Sequence, residues 1–385
     1  MAKSIVSIVR TEDVWSLKDI ENGIAEALQL IGGIEDSIKT GDRVLLKPNV
    51  VYSVEPNTGA VTRAEVVRIL ADMIRDMGAK PFIAESAAHG TDTEKAYAST
   101  GYQKLREEGY DVVDLKRTKA VEVEVPGGDL FPTFKTFEPV VEADVIVSLP
   151  VLKTHDQTEA TLSLKNLKGL IHDQHKRRMH ELGIFRGVAD LMHAFKPSFT
   201  LVDGTIGGEG LGPIYGLPVE MGLILAGKDL VAVDTVGSRI MEIEPAEVGT
   251  TVAAAERGLG QMDESQIEVV GVPVKDVQRR FMRSIEDERG QVEGLCVIHA
   301  EGSCTGCRNT VASAVFDMKS SNREQYLKGL TLVTGDAPLP EGVNPKDVIT
   351  LGVCVPQEMR VGRHVVGCPP NNIRVIEAVM EAKGQ

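Results

Sequence analysis

Hydrophobic and polar positions alternate along the first two thirds of the chain in two periods. Short apolar runs at residues 4–9, 43–47, 81–84, 143–149, 199–202 and 222–226 read as strands. Between several of them lie stretches with apolar residues three and four apart, and residues 16–31, 62–77 and 230–241 read as helices. Thr62 and Glu65 have the spacing of a capping box, and Gly78 is placed to end that helix. Residues 119–138 read as a hairpin about Pro126-Gly127-Gly128. Buried strands separated by helices predict an α/β fold, a mostly parallel sheet with helices on both faces. A charged stretch from Lys275 to Arg289 marks a boundary. Beyond it, strands at 331–334 and 348–351 and a helix at 372–382 predict a smaller α/β unit. Two domains are expected, residues 1–285 for ligand binding and residues 286–385 carrying the cysteines.

Composition narrows the picture. The 385 residues are 42% hydrophobic and 25% charged, an ordinary globular mixture without repeats or low-complexity tracts. Aromatics make up 4%, so the core is expected to be aliphatic. A net charge of −14 argues against nonspecific nucleic-acid binding, which needs a basic face. No apolar run has the length of a membrane helix, and MAKSIVSIVRTEDVW lacks the features of a secretory signal, so a cytoplasmic location is expected.

All five cysteines, Cys296, Cys304, Cys307, Cys354 and Cys368, fall in the second unit. Thiols clustered in a cytoplasmic chain point to metal or redox chemistry rather than disulfides. Cys304-Thr-Gly-Cys307 is a C-x2-C pair; Cys354 and Cys368 stand alone, each ending a short apolar segment. Four thiolates can hold zinc or an iron–sulfur cluster. Zinc sites usually present two compact knuckles and only one is present, so a four-iron (4Fe-4S) cluster suits the spacing better. Zinc or thiols without metal are the alternatives. Cys296 reads as a small buried hydrophobe or a group near the cluster, and His299 and His364 as hydrogen-bond donors near it.

In open α/β sheets, ligands bind beyond the carboxyl ends of the strands. Lys47 and Asn49 stand at one expected strand end, Lys153 and His155 just past another, and Asp203-Gly204 at a third, before a glycine-rich run at 207–212 taken as a flexible loop. Lys165, Asn166 and Lys168 lie between the last two. Lysines and amides so placed suit a phosphate or carboxylate ligand; each lysine alone is an ordinary solvated residue. The glycine-rich run matches neither a P-loop nor a dinucleotide fingerprint. His172, His175 and His180 alternate with Lys176, Arg177 and Arg178, a run that reads as a solvated basic segment or an anion-binding rim, with a metal pair at His172 and His175 as the sharper alternative.

Two resemblances follow from these motifs. LLKPNV, LPVLKTH, SLKNLKG, VDG and the glycine-rich run, in that order, resemble the domain-of-unknown-function 362 family over residues 40–270. Many members carry a ferredoxin-type insert with closely spaced cysteines, which this chain lacks. The tail, with Cys304-x-x-Cys307, Gly352-x-Cys354 and Gly367-Cys368-Pro369-Pro370, resembles the proximal-cluster site in the small subunit of nickel–iron hydrogenases. That likeness implies Cys304, Cys307, Cys354 and Cys368 as ligands of a four-iron cluster. It does not imply hydrogen chemistry. A more distant similarity to the lactate racemase fold transfers no residue.

The resulting expectation is an iron–sulfur oxidoreductase or electron-transfer component acting on an anionic small molecule. His155 is the acid–base candidate, Lys153 is catalytic beside it, and Lys47, Asn49, Lys165, Asn166, Lys168 and Asp203 are binding residues. A redox partner protein would exchange electrons. The alternatives are a non-redox enzyme using a cluster as Lewis acid, and a scaffold or metal-delivery protein with a structural cluster or zinc.

Overall fold

The computed structural model describes residues 3–300, 303–339 and 341–385. Among these, the larger sheet has ten strands. Its main path runs Ile267–Gly271, Ser4–Arg10, Tyr215–Gly227, Phe199–Leu211, Val145–Leu149, Arg43–Pro48, Lys80–Glu85 and Val112–Asp114. From Phe199–Leu211 to Val112–Asp114 every neighbouring pair is parallel. The two partners of Tyr215–Gly227 are antiparallel to it, so the sheet is mostly, not wholly, parallel.

Local chemistry accounts for the elements. In Leu17–Leu30 the buried residues Ile20, Gly23, Ile24, Ala27 and Leu28 form one stripe, and Ser16 Oγ accepts the Asp19 N–H to start the helix. All five residues of Val145–Leu149 are buried, as a strand with helices on both faces requires. Two apolar layers, one with Leu17–Leu30 and Ala64–Asp76, the other with Ile184–Phe195, cover the faces. The expected hairpin is present as Ala120–Glu124 paired antiparallel with Thr133–Phe137.

Three local expectations are corrected. Thr62 does not cap a helix. The helix is Ala64–Asp76, and the Thr62 hydroxyl accepts the Asn49 N–H (2.9 Å) and donates to Leu149 O (2.6 Å), tying two strand ends together. Residues 207–212 are not a flexible loop, because the strand expected at 199–202 continues to Leu211 against Tyr215–Gly227. The glycines are needed for contact. A Cβ on Gly207 would stand 2.7 Å from Leu152 O, and one on Gly208 2.7 Å from Gly59 O. Asp203 therefore sits within a strand, before a register shift between Gly204 and Ile206, and not at a turn.

A second sheet, Cys296–His299, Thr331–Thr334, Val348–Leu351 and Arg363–Val365, is wholly parallel. Helices Thr305–Ser320 and Asn372–Ala382 enclose its core. It is joined to the larger sheet by specific bonds. Asn309 Nδ2 donates to Glu159 Oε1 (2.6 Å), Gln157 Nε2 to Pro370 O (3.1 Å), and the Tyr215 and Phe316 rings pack 4.7 Å apart.

Candidate functional site

Between the carboxyl ends of the parallel strands and the second sheet lies a cavity of about 830 Å³. Strand Val151–His155 brings His155 to its wall, followed at once by Asp156. The turn Ser163–Asn166 supplies Lys165 and Asn166. Buried Asp234 holds that turn by accepting the N–H groups of Ser163 (2.7 Å) and Leu164 (3.1 Å). Lys168 comes from the next turn, and helix Asp173–Leu182 presents Lys176 and His180 four residues apart on one face. On the far side lie Val365 and Val366 and, from helix Asn372–Ala382, Ile373, Arg374, Glu377 and Glu381.

The wall is rich in amines. Lys165 Nζ lies 2.8 Å from His155 Nε2, and Lys168 Nζ lies 2.5 Å from His180 Nε2. Lys176 Nζ donates to Ser86 O (2.6 Å), Ala87 O (2.8 Å) and Asp173 Oδ1 (3.1 Å). Burial lowers Lys165 and Lys176 each to about 8. It holds Lys168 well below the usual lysine range, reinforced by the charges of Lys165 and Lys176. His155 is pushed well down, first by burial, then by Lys165, Lys153 and Lys168. Asp156 is raised by burial to about 6 and lies 2.9 Å from His155 Nδ1. Two buried polar atoms of the wall, Asn49 Oδ1 and His180 Nδ1, have no hydrogen-bond partner among the described residues. The carboxylates Glu181, Asp317, Glu377 and Glu381 also line the cavity but are not buried. On the buried side Lys165, Lys168 and Lys176 lie with Glu85 and Asp156, and an excess of amines there is costly alone and favours an anion among them.

The structure gathers His155, Lys165, Asn166, Lys168 and Asn49 in this wall, and places the other expected residues beneath or beyond it. Lys47 is fully buried, bonded to Glu85 Oε2 (2.7 Å), Pro48 O (2.6 Å) and Asn166 Oδ1 (3.1 Å). Lys153 is spent on the carbonyls of Ala60 and Pro213. Asp203 accepts the Arg63 N–H (2.9 Å) and the Thr205 hydroxyl (2.6 Å). Lys176, expected in a solvated run, is 3% exposed. His172 and His175 do not converge on a metal. The first caps the helix through the Gln174 N–H, and the second accepts the Lys135 N–H and lies edge-on to Phe131 and Phe134. Sequence reasoning missed Asp156, although it follows LKTH directly, and Glu85, whose partnership with Lys47 spans strands and leaves no local signal.

Four of the thiols, those of Cys304, Cys307, Cys354 and Cys368, lie near one another, outside the cavity lining. Cys304 is the N-cap of Thr305–Ser320 and Cys307 lies in its first turn. The Cys304 thiol is lowered to about 6, by a hydrogen bond from the Cys307 thiol and by the N–H groups of Cys307 and Gly306 at the helix start. Gly352, at φ +103°, leaves open a position 3.2 Å from Cys307 Sγ and 3.4 Å from Cys354 Sγ. The Cys368 N–H donates to His180 O (3.2 Å), and Cys368 O accepts the Ile184 N–H (3.0 Å). Among the described residues no three His, Cys, Asp or Glu side chains close on one point as a single ion demands. Four neighbouring thiols are a soft donor set of the kind that holds zinc or an iron–sulfur cluster, and a cluster interposes its own atoms between the thiolates. Cys296 is exposed on the edge strand of the second sheet, not buried. His299 and His364 bond Thr334 and Thr350 hydroxyls, at 2.8 and 3.0 Å.

Residues 44–239, the segment that supplies most of the cavity wall, match the family described as a domain of unknown function (DUF362). The chain belongs to the DUF362 family. It is 32% identical over 271 residues to a thylakoid-associated protein of Synechocystis, spanning 67% of this chain and 81% of that protein. The lactate racemase apoprotein of Thermoanaerobacterium thermosaccharolyticum aligns over 99% of this chain and 90% of its own, with 12% identity and a TM-score of 0.41. At that level no residue role passes between the two. No helix among the described residues is long and apolar enough to cross a membrane.

Proposed function

We propose that this DUF362 protein carries a four-iron (4Fe-4S) cluster on Cys304, Cys307, Cys354 and Cys368. We further propose that it acts as an oxidoreductase or electron-transfer component on an anionic small molecule held by Lys165, Lys168 and Asn49, with the Lys176 amine, bonded to Ser86, Ala87 and Asp173, as a positive charge behind them. The observation that carries the reading is the position of His180. Its ring faces Lys168 in the cavity wall, and its carbonyl accepts the Cys368 N–H, so one residue bridges the ligand site and the thiol site. Gln157 makes a second bridge, lining the cavity while donating to Pro370 O. A cluster held there would supply electrons one at a time. The lysines would neutralise and orient the ligand, and His155 would move a proton at Nε2. Cys304 and Cys354 are exposed, which would leave one edge open to a redox partner protein.

The test is anaerobic purification with iron, sulfide and zinc analysis, then a spectrum before and after dithionite. About four irons and about four sulfides per chain, with bleaching on reduction, are expected. Replacement of Cys307 by Ala should abolish iron retention, while Cys296→Ala should keep it. Zinc without sulfide would overturn the reading. Iron retained in full after one of the four replacements would favour the Lewis-acid alternative, in which one iron has no protein ligand.

A further inference from the structure

The wall contains an acid, an imidazole and an amine in series. Asp156 Oδ1 is 2.9 Å from His155 Nδ1, and His155 Nε2 is 2.8 Å from Lys165 Nζ. A nucleophile within hydrogen-bond reach of a base that a third group orients is the arrangement from which side-chain nucleophiles act. The imidazole tautomer follows from its bonds. Nδ1 accepts the Gln157 N–H (2.9 Å), the bond that orients the ring, so with Lys165 neutral the ring proton is on Nε2 and directed at it. An amine that accepts a hydrogen bond is the neutral, nucleophilic form; burial, which brings Lys165 to about 8, leaves it mostly protonated at pH 7 but gives it a neutral fraction that an ordinary lysine lacks and that dominates above pH 8.

The geometry points to Lys165 as an amine nucleophile that forms an imine with a carbonyl compound bearing a carboxylate, a 2-oxo acid in the simplest case. The carboxylate is accommodated by Lys168, with the charge of Lys176 behind it, and the carbonyl carbon meets Lys165 beside His155. The incoming carbonyl takes over the His155 Nε2–H bond and frees the amine lone pair. The new C–N bond forms as the C=O π bond breaks, and the Nε2 proton passes to the oxygen as the new ammonium nitrogen returns one to Nε2, so the ring stays neutral. Nε2 then gives its proton to the hydroxyl, which leaves as water, and recovers the last nitrogen proton as the imine forms. No oxidant or reductant is consumed.

This inference rests on the anion-site reading of the same cavity, and the experiment separates the two. The full chain, purified anaerobically, is incubated with glyoxylate or pyruvate and sodium cyanoborohydride, then mapped by peptide mass spectrometry. In parallel, binding of inorganic phosphate is measured by calorimetry. A saturable, reduced adduct confined to Lys165 is expected, slowed by phosphate and absent from Lys165→Met. His155→Gln should slow its formation by about a hundredfold. Lys104→Met, at an exposed lysine away from the cavity, serves as a variant in which labelling should persist. Adduct spread over surface lysines, or found at Lys168 or Lys176 instead, overturns the assignment. If phosphate binds and no adduct forms, the covalent step falls and the anion site stands. If neither occurs, both fall.

Discussion

Lysine 165 sits where a hydrophobic residue would be more stable, and this can be measured. Its amine is buried and brought from the free value of 10.5 to about 8. At pH 7 the group is protonated in both folded and unfolded chains, so the folded state bears the whole penalty of charging a buried amine. A difference of about 2.5 in pKa corresponds to about 3 kcal/mol. In Lys165→Met a side chain of similar length fills the space, and the bond to His155 is lost at about 1 kcal/mol. The variant should therefore be more stable by about 2 kcal/mol at pH 7. The sign with pH is fixed by linkage. Between about 8 and 10.5 the unfolded chain holds the Lys165 proton that the folded chain has released, so wild-type stability rises with pH and the advantage vanishes near pH 10. His155, Asp156, Lys153 and Lys168 face this amine and are present in both proteins. Urea unfolding of both, anaerobic and free of phosphate, at pH 7, 8, 9 and 10 provides the test. A variant less stable at pH 7, or a difference that does not change with pH, refutes the reasoning.

Anion binding should take up protons. At pH 8 Lys165, facing His155, Asp156, Lys153 and Lys168, and Lys176, facing Asp173, Lys116 and Glu85, are each near half protonation, and a bound anion restores their charge. Phosphate calorimetry in two buffers of different ionisation enthalpy should show uptake of up to about one proton, with affinity falling as pH rises; release of protons would contradict it. Glu85→Ala strands the buried Lys47 amine and the N–H groups of Val50 and Ser86, and should cost about 3–5 kcal/mol in urea unfolding, whereas Lys47→Met with Glu85→Leu recovers most of that loss. Equal losses in the single and double variants would show that the ion pair is not the cause. Gly352→Ala places a methyl group between two sulfurs and a side chain at φ +103°; the strain is about 1–2 kcal/mol, and iron per chain should fall sharply. Full iron content in that variant would separate Gly352 from the thiol site.

What the sequence disclosed and what it withheld divide by range. Strand and helix periods are local, so Thr331–Thr334, Val348–Leu351 and Asn372–Ala382 were legible to the residue. The glycine-rich run was misread because its glycines answer to Leu152 and Gly59, outside their own neighbourhood. The lysines of the family motifs were visible as a group, but their division of labour was not. Lys165 and His155 are ten residues apart and meet, whereas Lys153, two residues from His155, is turned to Ala60 and Pro213. Lys47 owes its burial to Glu85, thirty-eight residues away on the neighbouring strand. The same rule explains why nothing in the thiol spacing revealed its relation to the ligand cavity. That relation is made by the main chain, through His180 O with the Cys368 N–H, and by Gln157 with Pro370. Backbone carbonyls are blind to residue type, so a bridge built on them leaves little trace in sequence. It also makes the coupling between the two sites robust to substitution of His180, whose ring can be removed without removing the carbonyl that holds Cys368. His180→Ala should therefore weaken phosphate binding, through Lys168, while leaving iron content unchanged; iron lost together with binding would mean that the ring, and not the main chain, joins the sites.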